Sequence, residues 1–274
     1  MNKGTLIGWA AEFLERSTDN YISGELALCD SIVGTRLFDS PIFAIASAQD
    51  ELFQKLKNPL AIGEHFKLPE EWLPQAKSVI SIFLPFTDQV KNSNSIDRFW
   101  PSAEWLHGRV EGQALILKLC KYLESKLAEE GYFSITPAAD DRFQSFYSAD
   151  DANGISFSSN WSERHVGFIS GLGTFGLSKG LITKKGTAGR LASLISDLEL
   201  PSDHREYLDL YEYCSMCGQC IEACPSQAIS FENGKNHAQC YSYLTIIAEK
   251  NKPWHGCGKC QVKLPCESCI PTRS

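Results

Sequence analysis

The sequence predicts an α+β fold in two parts: a layered α/β domain over residues 1–200, then a small cysteine-dense domain over residues 201–274. Two observations lead there. The front part alternates short apolar, β-branched runs with stretches whose apolar side chains recur every three or four positions, and such segments bury their faces by stacking in layers. Nine of the eleven cysteines fall after residue 213, so the last part is organised by sulfur rather than by an apolar core. A chain of 274 residues with 43% hydrophobic content has material for about two domains.

In chain order, residues 5–16 form an amphipathic helix through Leu6, Trp9, Ala10, Phe13 and Leu14. PIFAIASA (41–48) is a buried strand and the charged DELFQKLKN after it is helical. AKSVISIFLPF repeats the strand signal until Pro85 ends it, and 87–101, without periodicity, is expected to be a loop. From Ala103 to Glu130 runs the longest helix, stopped by Gly131, with Cys120 a small core residue on its apolar face. YFSITPA returns as a strand. Residues 139–160 form an aspartate-rich loop of a length that is more often functional than incidental. Asn160, three residues before Glu163, is placed to cap a helix through WSERHVGFISGL.

That helix ends in GLGTFG. Gly171, Gly173 and Gly176 match G-x-G-x-x-G, but a helix precedes them and strands follow, the reverse of a dinucleotide site. The glycines therefore mark a place where backbone approaches a ligand or another element closely. GLITKKGTAGRLASLISDLEL reads as two strands joined across KKGTAG, and residues 201–213 link to the cysteine domain.

CSMCGQCIEACP, Cys214 to Pro225, has the C-x2-C-x2-C-x3-C-P spacing of bacterial ferredoxins, in which the fourth cysteine serves a second [4Fe-4S] cluster. A second group of cysteines follows, as that pattern requires. Cys214, Cys217 and Cys220 are expected to share one cluster with a late cysteine, and Cys224 to join Cys240, Cys257 and Cys260 in the other. The late ligand is expected to be Cys266, after the reversal that Pro265 permits, leaving Cys269 surplus. A zinc ribbon built on Cys214, Cys217, Cys257 and Cys260 is the competing reading, but it leaves Cys220, Cys224, Cys240 and Cys266 without a role.

The formal charge of −7 argues against a general nucleic-acid binder. The first residues lack a secretory signal and no run is long enough to span a bilayer, so a cytoplasmic, reducing location is expected.

ERHVGFISGLGTFG (163–176) running on through ASLISDLEL, followed by CSMCGQCIEACP, CYSYLT and HGCGKCQ, resembles the epoxyqueuosine reductases and their relatives, the corrinoid-dependent reductive dehalogenases. The resemblance covers roughly residues 160–270. It implies a cobalamin held by a first domain similar to flavin nitroreductases and cobalamin-processing proteins, with the two clusters feeding it electrons from an external donor such as a ferredoxin or flavodoxin. It further implies that Gly171, Gly173, Thr174, Phe175, Gly176, Ser178 and Lys179 approach the cofactor.

The departures are informative. The family's Asp-Ser-Ala-Pro segment, whose Asp is taken as proton donor, is replaced by Phe157–Asn160, FSSN. Asp140, Asp141, Asp150, Asp151, His107 and Tyr147 are the candidates to supply the proton instead. Family members acting on tRNA continue into helical repeats, and the export signal of the dehalogenases is not found here. The expected function is therefore a reductase of a small molecule, with tRNA not expected as substrate. An electron-transfer or corrinoid-handling protein, or a flavin in place of cobalamin, are the alternatives. His107, His165 and His255 could each be proposed as an axial cobalt ligand, and none is assigned.

Overall fold

Antiparallel pairing organises the front of the chain. The computed structural model describes residues 1–147 and 157–272. Its helices are α1 (Lys3–Arg16), α2 (Glu51–Lys55), α3 (Pro69–Trp72), α4 (Asp88–Ile96), α5 (Ala103–Glu129), α6 (Glu163–Ser170), α7 (Gln219–Glu222) and α8 (His237–Asn251). Its strands are β1 (Ile42–Ser47), β2 (Ser78–Pro85), β3 (Ser134–Ile135), β4 (Ser145–Tyr147), β5 (Phe157–Ser159), β6 (Gly173–Phe175), β7 (Leu181–Thr183), β8 (Gly189–Ser196), β9 (Ile229–Ser230) and β10 (Gly234–Lys235).

The main sheet has the order β1-β2-β8-β3, with every neighbour antiparallel. Phe43, Ile45, Ile80, Ile82, Ala192 and Leu194 face α1 and α5, where Leu6, Ala10, Leu119 and Cys120 complete one core. The alternate residues Ala46, Val79 and Ile195 face α6, packing with Trp161, Val166 and Ile169. Because both faces are covered, β2 is buried at every residue and its sequence is apolar but for Ser78 and Ser81. Among the described residues no helix is long and apolar enough to cross a membrane.

Two local expectations are corrected, and the two strands joined across KKGTAG are found as β7 and β8. The segment expected to be a loop contains α4, capped by the Thr87 hydroxyl, which accepts from the Val90 N–H. Its buried face is mixed: Val90 joins the main apolar core, while Lys91 and Asn94 beside it turn to the cysteine loops. The Lys91 ammonium donates to Ser268 Oγ at 2.7 Å, the Asn94 amide to the Cys257 carbonyl at 3.1 Å, and the Lys259 ammonium to the Asn94 carbonyl at 2.6 Å. A helix with one apolar residue on an otherwise polar inner face shows no apolar period.

The strands on either side of KKGTAG do not pair with each other. The turn exists, with Thr183 and Gly186 exchanging backbone hydrogen bonds, but β7 pairs back with β6 while β8 crosses to lie between β2 and β3. Gly186 has φ +76°, and a Cβ there would run into the Glu267 backbone. The Thr187 N–H donates to the Cys266 carbonyl at 2.9 Å. The cysteine domain, not a hairpin, sets this turn.

Asn160 is not the cap of α6, whose N-cap is Ser162. Its side chain accepts from the Gln144 N–H and donates to the Arg142 carbonyl, closing the base of the aspartate-rich loop. Asp150 and Asp151 of that loop lie outside the described residues.

Candidate functional site: paired cysteine groups and an adjoining cavity

The cysteine loops wrap by repeated left-handed residues. Met216 and Gly218 in the first loop, and Gly256 and Gly258 in the second, have φ between +52° and +122°. Such turns bring thiols spaced by two residues onto one side. Cys214, Cys217, Cys220 and Cys266 together line one narrow cavity. Burial, then the charges of Cys214, Cys220 and Cys217, pushes the Cys266 thiol up to about 12. In the other group, burial raises Cys240 against the pull of Lys235, with Cys260 and Cys224 adding to the rise. Burial also pushes Cys257 up to about 12, and Cys260 and Cys240 are among its charged neighbours. Cys269 is exposed, its thiol resting on the Pro265 carbonyl at 3.6 Å. Among the described residues no three His, Cys, Asp or Glu side chains close on a single metal ion. Four thiols around one cavity fit a polynuclear cluster, whose assembly supplies the drive to deprotonate thiols held this high.

The GLGTFG segment forms a wall. Gly171 ends α6 in the left-handed conformation, and Gly173 has no room for a side chain because a Cβ would strike the Ile182 backbone across the β6–β7 pair. The Thr174 hydroxyl accepts from the Tyr213 N–H at 2.8 Å, tying the strand to the residue before Cys214. Gly176 and Ser178 line the cavity of the first cysteine group. Phe175 and Lys179 face the other way, into a cavity of about 550 Å³. The predicted cofactor segment thus separates two spaces.

The larger cavity is bounded by Leu52 and Leu56 from α2 and its end, Ser158 from β5, Arg164, His165 and Phe168 from α6, and Leu210, Tyr211 and His237 from the cysteine half. Burial, and after it the neighbouring Arg164 charge, lowers His165 to about 4, so the ring is neutral at neutral pH. Its Nδ1 is 2.8 Å from Ser162 Oγ. Arg164 lines the cavity and is solvent-exposed; partial desolvation lowers it, while the thiols of Cys260 and Cys240 act in the opposite sense. Sequence reasoning did not single out Arg164 as a site residue and left His165 unassigned, since one Arg or His in a helix carries no spacing signal.

Beneath this wall Glu163 Oε2 accepts from Ser193 Oγ at 2.7 Å, and Ser193 Oγ accepts from the Trp161 indole at 2.9 Å. Glu163 Oε1 is buried without a hydrogen-bond partner, and burial pushes the carboxyl up to about 7. A raised carboxyl binds its proton more tightly in the folded chain, so its contribution is fully present below the unfolded value and is lost as pH rises toward 7. E163Q is expected to remove that loss. Relative to the parent, the variant should gain on the order of 2 kcal/mol between pH 5.5 and 8, read from denaturation at each pH. A difference that stays constant with pH would mean the carboxyl is not protonated in the fold.

The predicted proton donors are dispersed. The His107 side chain is 1% exposed; its Nε2 accepts from the Leu28 N–H, so Nδ1 donates to Glu111 at 3.0 Å. Asp140 pairs with Arg142 at 2.7 Å, and that hydrogen bond holds its carboxyl below the usual range. Asp141 is exposed. The backbone of Tyr147 pairs with Phe157, while its side chain lies outside what is described. Among the described lining residues of the larger cavity, His107, Asp140 and Asp141 do not occur.

An iron-sulfur protein is the class these features define: residues 210–230 match the family of 4Fe-4S binding domains. The chain is 36% identical over 107 residues to an epoxyqueuosine reductase of Cellulophaga algicola, covering 35% of this chain and 34% of that protein. It is 35% identical over 111 residues to a tetrachloroethene reductive dehalogenase of Desulfitobacterium hafniense, covering 37% and 20%. An epoxyqueuosine reductase of Synechocystis sp. is matched at 26% identity over 238 residues, 79% and 75% of the two chains. Among solved structures, epoxyqueuosine reductase from Bacillus subtilis superposes with a TM-score of 0.52 at 18% identity, covering 98% of this chain and 66% of that one. The chain is a relative of the epoxyqueuosine reductases and reductive dehalogenases, and its strongest matches span about a third of the first and a fifth of the second.

Proposed function

We propose that this protein is a corrinoid-dependent iron-sulfur reductase, in which two [4Fe-4S] clusters deliver electrons to a cobalamin held against the GLGTFG wall. One observation carries the reading: Phe175 and Lys179 border the 550 Å³ cavity while Gly176 and Ser178, within the same short run, border the first cysteine group. The cavity volume is in the range of cofactor sites, and its apolar α2 wall opposite polar Ser158 and Arg164 suits one face of a macrocycle. A structurally similar reductive dehalogenase is described as carrying out B12-dependent dehalogenation. A front domain of nitroreductase-like or cobalamin-processing type, residues 1–200, and a ferredoxin-like domain, residues 201–274, agree with this arrangement.

When bound, the clusters would carry single electrons and the corrinoid a strongly reducing metal centre. The protein's part is then to bind, orient and protonate. Cys214, Cys217, Cys220 and Cys266 would hold one cluster, and Cys224, Cys240, Cys257 and Cys260 the other. Phe175 and Lys179 would position the cofactor face. For proton delivery, Asp140 and His107 are engaged by Arg142 and Glu111 and Asp141 does not line the cavity, which leaves Tyr147, Asp150, Asp151 and the cavity-lining His165 as the candidates.

A second reading concerns the substrate. Where a chain stops does not decide what it reduces, and one similar structure, with a TM-score of 0.54, is an epoxyqueuosine reductase with an epoxyqueuosine-modified tRNA stem loop. A modified nucleoside in RNA therefore stands beside a small molecule.

The test is anaerobic reconstitution with iron, sulfide and cobalamin, followed by gel filtration. Corrin absorbance co-eluting at about one per chain is expected. Retention of flavin and not of cobalamin would overturn the proposal. A protein that binds cobalamin yet reduces no added substrate would belong to the corrinoid-handling class instead.

A further inference from the structure

Three guanidinium groups lie within electrostatic reach of one another near the edge of the main sheet. Arg109 projects from the first third of α5, Arg164 from the first turn of α6 and Arg190 from the start of β8. β3 pairs only with Ile195 and Ser196, so the opening residues of β8 have no strand beside them on that edge and are partly exposed. Arg190 reaches across to α5 and donates to Gln113, one helical turn beyond Arg109. Arg109 backs onto the second cysteine loop, where a Cβ on Gly256 would meet its Cγ at 2.8 Å.

These charges lack counter-charges of their own. Among the described residues the arginines in ion pairs are Arg16, Arg142 and Arg205, not these three. Arg190 Nε is buried without a hydrogen-bond partner. Burial and then Arg164 lower Arg109, and burial and then Arg109 and Arg164 lower Arg190, so the groups lie within electrostatic reach of one another. Arg164 lies near the Cys260 and Cys240 thiols, and no acidic side chain pairs with Arg109 or Arg190 among the described residues. Arg109 and Arg190 are half-buried and Arg164 is exposed, so the three open to solvent on one side. Holding like charges this close is unfavourable unless an anion joins them, and guanidinium forks match the two oxygens of a carboxylate or phosphate.

We propose that Arg109, Arg164 and Arg190 form a binding site for an oxyanion group, a carboxylate or phosphate, carried by a small molecule held between the sheet edge and the second cysteine loop. Assigning that anion to a substrate rests on the reductase reading; the site itself does not. The anion could also be the phosphodiester of the cofactor's nucleotide tail, the same chemistry from another source.

The test uses the cluster-loaded protein with inorganic phosphate and benzoate as probes, against chloride at equal ionic strength. Each probe is read by its saturable shift of the melting midpoint. At least one should bind, and R109Q and R190Q should each weaken it about tenfold or more while the cluster absorbance is kept. In case a variant fails to fold, phenylglyoxal labelling of the unaltered protein gives a second readout: the bound probe should protect Arg109 and Arg190. Neither a saturable shift nor protection, or variants binding as tightly as the parent, would overturn the site.

Cobalamin and cobinamide, which lacks the nucleotide phosphate, separate the sources. If only cobalamin displaces the probe, the anion is the cofactor's own; if the probe stays bound beside cobalamin, it marks the substrate. Probe binding without any cobalamin binding would remove the corrinoid reading and leave the arginine site standing.

Discussion

C266A is expected to strip one cluster from the protein while C269A leaves both. Iron should fall from about eight to about four per chain in the first variant and stay near eight in the second. Cys266 shares a cavity with Cys214, Cys217 and Cys220, whereas Cys269 is exposed and its thiol rests on the Pro265 carbonyl. The Cys266 backbone is also anchored, its carbonyl accepting from the Thr187 N–H. An exposed thiol three residues away could move in as a substitute ligand, so C266A/C269A is the decisive control and should hold about four irons with no partial recovery. A zinc ribbon on Cys214, Cys217, Cys257 and Cys260 predicts no difference between the two variants, since neither change would alter its metal content. Loss of iron in C269A with retention in C266A would reassign the fourth ligand.

The cysteine pattern was legible because ligand spacing is local: loops of two intervening residues present their thiols together whatever the rest of the chain does. The sheet was legible in its strands but not in its order. β8 belongs between β2, over a hundred positions before it, and β3, about sixty before it, and the local turn KKGTAG carries no information on either partner. Register and order are set by which face is buried and by what lies opposite, neither of which a turn signal contains. α4 was missed for a related reason, its inner face setting Lys91 and Asn94, aimed at cysteine-loop residues, beside the single core residue Val90. The arginine group was invisible because Arg109, Arg164 and Arg190 sit on three elements with no spacing in common.

The second large effect is expected at Gly258, between two ligands of the other cysteine group. Its φ is +68°, and a Cβ there would overlap the Trp105 indole, itself 3% exposed and packed on Phe86 with ring centroids 4.8 Å apart. The indole has no free direction in which to retreat. On one side lies the core around Phe86, and on the other the loop is held by Lys259 and Cys257 hydrogen bonds to Asn94. G258A therefore combines a left-handed alanine with an overpacked contact, roughly 3 kcal/mol or more together. The loss should be seen as a lowered melting midpoint and as iron missing from the second cluster, the first being retained. Trimming the obstacle should undo part of this: in the G258A background W105F is expected to raise the melting midpoint, although W105F alone lowers it. That reversal of sign is the mark of two residues competing for one space. If G258A keeps both clusters and melts within about 2 °C of the parent, the loop is not seated on Trp105 and the junction between the two halves must be held elsewhere.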